Sequence, residues 1–164
     1  MNLPVIILAL VTLQRLGELW LSNRNTRRLL ARGAREVGTA HYPLIVAVHA
    51  LWLAALWWLA PGRPIDGFWL ALFVLLQLAR VWVIATLGER WTTRIIVLPD
   101  APLVRRGPYR FVNHPNYLVV IGEIAALPLA FGLWAVALLF TLLNAAVLAI
   151  RIREENRALA SLRA

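Results

Sequence analysis

Six polar side chains interrupt stretches that are otherwise apolar: Gln14, Arg15 and Glu18, then Gln77 and Arg80, then Glu123. A charged group at the centre of a membrane helix costs about 2.5–3.5 kcal/mol on insertion scales, so such residues face a partner or a wet cavity. Gln14 and Glu18 stand four apart and Gln77 and Arg80 three apart, which puts each pair on one helical face. Arg15 and Glu18, three apart, can pair locally. Two roles fit this set. One is a group of buried hydrogen bonds that pins helices together. The other is a polar pocket in which Arg80 and Glu123 meet a substrate, with Arg80, two turns from the end of its segment, snorkelling towards the nearer surface. His41 and His49 read as hydrogen-bonded structural histidines. With three scattered histidines and no cysteine, no metal site is expected. The nine glycines include no G-x-G pair, so dinucleotide and phosphate-loop readings fail at the first residue.

The remaining chemistry-bearing residues gather in segment 87–118, LGERWTTRIIVLPDAPLVRRGPYRFVNHPNYL, and in the tail after residue 150. The segment holds Pro99, Pro102, Pro108 and Pro115, with Tyr109, Phe111, His114 and Tyr117 after Gly107. Gly-Pro favours a turn, and residues before a proline are pushed out of helix. A connector that only joins helices is shorter and simpler. This one reads as a folded cap whose aromatic residues pack it down onto the bundle.

The elements that must position these groups are membrane spans. Of 164 residues, 61% are hydrophobic and 15% charged, against about 45–50% and 25% for soluble domains. A soluble domain of this size cannot hide that much apolar surface. Stretches near the roughly 20 residues that a spanning helix needs lie at about 3–21, 42–60, 65–87, 118–131 and 133–150. The first lacks the basic start and small-residue cleavage site of a signal peptide, and is read as a retained span. The expected architecture is an all-α integral membrane protein of one domain, residues 1–164, without repeat or linker.

Charge sets the orientation. All 17 basic residues are arginines. Five spans place fourteen of them, in 22–41, 88–117 and 151–164, on one side, against Arg63 alone on the other. The positive-inside rule then predicts an outside N-terminus and a cytoplasmic C-terminus, as in a bacterial inner membrane. Trp20, Trp57, Trp58, Trp69, Trp91 and Trp134 fall near span ends, where an aromatic belt belongs. The net charge of +9 thus orients the protein and touches anionic headgroups. No motif supports nucleic-acid binding.

Gly107-Pro108-Tyr109 followed by His114-Pro115-x-Tyr117 resembles the isoprenylcysteine carboxyl methyltransferase family, whose pattern is approximately GPYxxxRHPxY. Leu87-Gly88-x-x-Trp91-Thr92 matches upstream, and Arg151-Ile152-x-x-Glu155 with Leu159 is similar to the family's RIxxEExxL. The first half is more loosely similar to a short bacterial subgroup that O-methylates alkylpyrones and phenolic lipids. Gln14-Arg15-x-x-Glu18, Arg24-Asn25, Gly33-Ala34-x-Glu36-x-Gly38 and His41-Tyr42-Pro43 carry that likeness. There are three departures. Asn113 replaces the arginine before His-Pro, Asn156 replaces the second acid of the tail motif, and no FG-x-E-Y segment follows before Ala164.

The resemblance implies methyl transfer from S-adenosylmethionine, bound without a Rossmann domain by the loop and the C-terminal helix, to an oxygen of a lipophilic acceptor in the membrane. On that basis His114, Arg151 and Glu155 are the expected catalytic residues. Leu98, Pro99, Gly107, Tyr109, His114, Pro115, Tyr117, Arg151 and Glu155 are the expected cofactor contacts. Arginine suits the cofactor's carboxylate, carboxylates suit its ammonium and ribose, and aromatic faces suit its sulfonium. A phenol or hydroxypyrone acceptor is helped by a base, for which His114 or Glu155 serves, whereas a carboxylate needs none. Methylation of a prenylcysteine carboxyl, a thiol or an amine, or a non-catalytic membrane scaffold, are the competing readings.

Overall fold

A computed structural model describes residues 2–99 and 101–158. Leu159, matched above to the family's tail pattern, lies outside the described residues. Five helices carry the fold: α1 (Leu3–Ala31), α2 (Tyr42–Leu59), α3 (Gly67–Leu87), α4 (Pro115–Ala130) and α5 (Trp134–Ala158). The chain is an all-α membrane protein in outline. α1, α2, α3 and α5 are each long and apolar enough to cross a membrane. α4 has 16 residues, about 24 Å at 1.5 Å per residue, and falls short of the roughly 30 Å hydrocarbon core.

α4 nevertheless runs the length of the bundle. Its last carbonyl, that of Ala130, accepts from the Asp66 N–H at 2.8 Å at the start of α3, and its first turn meets the C-terminal part of α5. It can be short because protein surrounds it: eleven of its residues are buried. Gly122 lets α3 approach closely, since a Cβ there would stand 2.8 Å from Leu76 Cδ1. Pro128 lacks the N–H that would bond the Ile124 carbonyl, and the Trp52 indole N–H of α2 donates to that carbonyl instead, at 3.2 Å. The apolar core lies around this half of α4, with Leu8, Trp52, Leu56, Phe73, Leu127 and Phe131.

Two expectations about the arginine-rich end change. The segment after residue 21 was expected to be loop, but α1 continues to Ala31. Residues 22–31 contain no glycine or proline, so nothing stops the helix. The all-α expectation also omits a short antiparallel ribbon, β1 (Arg35–Val37) with β2 (Ile95–Val97), in the register Arg35↔Val97, Glu36↔Ile96 and Val37↔Ile95. The ribbon joins the segment after α1 to the segment after α3, and so closes one end of the bundle.

Candidate active site

The cap is tied down from α1. Asn25, 2% exposed, donates its Nδ2 to the Gly88 carbonyl at 3.2 Å and the Trp91 carbonyl at 2.8 Å. Ser22 Oγ accepts from the Thr93 N–H at 2.8 Å. The Thr93 hydroxyl lies 2.8 Å from that of Ser22 and 3.1 Å from that of Tyr42. Buried polar groups demand such partners, and these fix the backbone before β2. Across the ribbon Arg94 donates to both oxygens of Glu36 at 2.9 and 3.1 Å, and its guanidinium stands 4.7 Å from the centre of the Tyr42 ring. The hydrogen bond to Glu36 holds the Arg94 guanidinium above the ordinary arginine range.

Beyond β2 the described residues hold no regular element before a 3-10 turn at Gly107–Arg110. Arg90 Nη1 donates to the Pro102 carbonyl at 2.6 Å and holds that stretch in place. Gly107 has φ of 56°, and a Cβ there would lie 2.6 Å from Thr86 Oγ1, so only glycine fits. The turn aims Tyr109 inward. Burial, with Glu155 adding to it, pushes the Tyr109 phenol above its ordinary value, so it stays neutral.

The charged centre comes from α4 and α5. Arg151 and Glu155 lie one turn apart on α5, and Tyr117 of α4 sits between them. Arg151 Nε donates to the Tyr117 hydroxyl at 2.7 Å, and that hydroxyl donates to Glu155 Oε2. Arg151 Nη1 donates to the Thr93 carbonyl at 2.7 Å, which binds α5 to the cap. His114, just before α4, stacks on Tyr117 with ring centres 5.2 Å apart and planes 17° from parallel. Its Nδ1 stands 3.7 Å from Glu155 Oε2, and its Nε2 stands 3.2 Å from Asn156 Oδ1.

Two neighbouring cavities with shared walls open here. The larger, about 620 Å³, is lined by Leu29, Leu98, Val104, Arg105 and Asn113 among others. The smaller, about 130 Å³, is lined by Thr92, Arg94, Asn116, Tyr117 and Arg151. Tyr109, His114 and Glu155 stand at both. The larger volume is within the range of small-molecule sites, roughly 300–1,000 Å³.

Of the residues singled out in the sequence, the structure gathers Leu98, Tyr109, His114, Tyr117, Arg151 and Glu155 at this place. Gly107 and Pro115 shape the backbone without lining either cavity, and Pro99 is exposed away from them. Arg80 and Glu123 belong to a separate cluster inside the bundle. Arg80 does not snorkel to the surface. It is 6% exposed, bonds both oxygens of Glu18 at 2.6 Å, and reaches Glu123 Oε2 at 3.1 Å. His49 Nδ1 lies 2.8 Å from the Ile45 carbonyl within its own helix. Sequence reasoning missed Ser22 and Thr93. The only signal was a polar Ser22 one turn after Glu18 on the same face of α1. The Thr93 contribution is a carbonyl, which no side-chain pattern reveals.

The fold and the capped cavity define a helical membrane protein with a polar site at its arginine-rich end. The model of the isoprenylcysteine carboxyl methyltransferase family matches residues 69–161, and the chain belongs to that family. Membership points to a membrane methyltransferase. The chain is 36% identical over 159 residues to the uncharacterized protein YpbQ of Bacillus subtilis, covering 94% of this chain and 95% of that one. It is 29% identical over 156 residues to an uncharacterized protein of Haemophilus influenzae, covering 90% of each. No solved structure matches.

Proposed function

We propose that the protein is an S-adenosylmethionine-dependent methyltransferase that methylates an oxygen, carboxylate or phenol/hydroxypyrone, of a lipophilic acceptor dissolved in the membrane. The observation that carries this reading is the Arg151–Tyr117–Glu155 chain on the wall of the smaller cavity, with His114 stacked against it.

The donor set fits the cofactor. Arg151 spends Nε and Nη1 on Tyr117 and Thr93, which leaves Nη2 for a carboxylate. Asn116 Oδ1 is buried and unbonded among the described residues, and an ammonium donor at the small cavity would satisfy it. When bound, S-adenosylmethionine supplies a methyl group activated by its sulfonium. The protein's part is alignment and water exclusion. Tyr109 offers a ring face to a cation. For a phenolic acceptor, His114 would take the proton, and Glu155 at 3.7 Å would stabilise the imidazolium formed. The cap faces the cytoplasm in the orientation read from the arginines, so the soluble cofactor arrives from there and the acceptor from the lipid.

The test is calorimetry on the detergent-purified protein. S-adenosylmethionine binds, and His114→Ala or Glu155→Ala weakens binding roughly tenfold or more, the loss of a charged or hydrogen-bonded contact. Absence of binding by the intact protein overturns the reading.

A further inference from the structure

His114 is held on three sides. Its ring stacks on Tyr117 with centres 5.2 Å apart and planes 17° from parallel. Glu155 Oε2 faces Nδ1 at 3.7 Å, and Asn156 Oδ1 faces Nε2 at 3.2 Å. Glu155 and Asn156 follow one another on α5, so one stretch of that helix meets both nitrogens of one ring. The two contacts differ in kind. The Asn156 contact is within hydrogen-bond reach, and the Glu155 contact is beyond it. Glu155 Oε2 is also taken already by the Tyr117 hydroxyl, which donates to it.

An amide oxygen accepts and never donates. A neutral imidazole carries one proton, and the partner of one nitrogen decides the state of the other. Bonded to Asn156 Oδ1, Nε2 must carry that proton. Nδ1 then keeps its lone pair and has no hydrogen-bond partner among the described residues. The ring stands at both cavities. Asn156 occupies the place where the family's tail pattern has a second acid. A carboxylate there would set two negative charges beside one imidazole and favour the doubly protonated ring, which has no lone pair to offer. The amide fixes the same proton and adds no charge.

We propose that Asn156 is a positioning residue: it pins the proton of His114 on Nε2 and so makes Nδ1 the nitrogen that meets a ligand. The use of that nitrogen rests on the methyltransferase reading. Where the acceptor gives up a proton, its bond to that proton breaks with the electron pair left on the acceptor atom. The Nδ1 lone pair forms the new N–H bond, and the positive charge gained by the ring faces Glu155.

The experiment is nitrogen NMR of the purified protein in detergent, with the histidine rings labelled, at about pH 9, where an ordinary imidazole is neutral. His114→Ala assigns the His114 signals among the three histidines. The intact protein shows Nε2 protonated and Nδ1 bare. Asn156→Leu keeps a side chain of similar size without an acceptor, which leaves Glu155 as the oxygen facing the ring. The proton then moves towards Nδ1, and the tautomer ratio shifts roughly tenfold, as the loss of one hydrogen bond implies. Asn156→Asp restores an acceptor oxygen and returns the proton to Nε2, a rescue that a merely structural role would not produce. S-adenosylmethionine binding by calorimetry in the same samples reports on the site itself. A bare Nε2 in the intact protein overturns the proposal, as does a tautomer unchanged in Asn156→Leu. If Asn156→Leu does not fold, the intact protein and Asn156→Asp still decide, and loss of the Nε2–H form in Asn156→Asp overturns it. If the tautomers behave as expected and S-adenosylmethionine does not bind the intact protein, the role of Asn156 stands and the methyltransferase reading falls. If S-adenosylmethionine binds and the tautomer does not depend on Asn156, the reverse holds.

Discussion

Tyr117→Phe removes one oxygen and nothing else. Tyr117 is 8% exposed, and phenylalanine fills the same space, so no cavity term enters. The lost hydroxyl serves two ionised partners: it accepts from Arg151 Nε and donates to Glu155. A hydrogen bond to a charged group contributes about 1.5–3 kcal/mol, so two of them set an upper limit near 3–6 kcal/mol. Part is recovered, because Arg151 and Glu155 stand one turn apart on α5 and can meet directly once the hydroxyl is gone. A net loss of about 2–3 kcal/mol remains, which is roughly 30- to 150-fold in donor affinity. Calorimetry with S-adenosylmethionine reads the affinity, and thermal unfolding without it reads stability. An affinity within about twofold of the intact protein's would refute the argument that this chain organises the site. A stability loss without an affinity loss would make the chain structural only.

Three further outcomes follow from the cap. Asn25→Ala strips the Gly88 and Trp91 carbonyls of their donor and should cost about 2 kcal/mol; hydrogen exchange should quicken at residues 88–97 and leave α4 unchanged. Gly107→Ala forces a side chain into φ of 56° and against Thr86, and should lower the unfolding midpoint and donor affinity together, by about 1–3 kcal/mol; unchanged values in both would show that the turn relaxes freely. The Tyr109 phenol is raised by burial first and by Glu155 second from an unfolded value of 10.0. Its contribution is therefore present in full below pH 10 and is lost progressively above it, as the unfolded chain ionises first. Tyr109→Phe should remove that alkaline loss from the stability profile, and an unaltered profile would place the titration elsewhere.

The site was legible in the sequence wherever its logic is local. Arg151 and Glu155 are four apart, so one turn of α5 brings them to one face, whereas His114 precedes α4 and was marked, like Tyr117, by the family resemblance of the His-Pro-x-Tyr motif. The arginine distribution likewise marked one end of the bundle, and the structure places the ribbon, the cap and the end of α5 together there. What stayed hidden depends on contacts between distant segments. Thr93 works through its carbonyl and Ser22 through a hydroxyl that looks ordinary in an amphipathic stretch. The extension of α1 to Ala31 follows from the absence of a breaker, a weaker signal than a breaker's presence. α4 read as a span because hydropathy counts apolar residues and cannot tell burial in protein from burial in lipid. Its 16 residues suffice only because other helices surround it.

That burial makes α4 the element through which the two polar regions are tied. Its first turn carries Tyr117, and Glu123 follows less than two turns later. Both are held from other helices: Tyr117 by α5, Glu123 by α1 and α3. The far end is held as well, by the Trp52 donor at Ile124 and the Asp66 N–H at Ala130. A helix fixed at both ends and in the middle cannot shift one polar region without straining the other. If the cap holds the methyl donor, α4 gives Tyr117 a rigid footing there, and alignment comes from the fold itself.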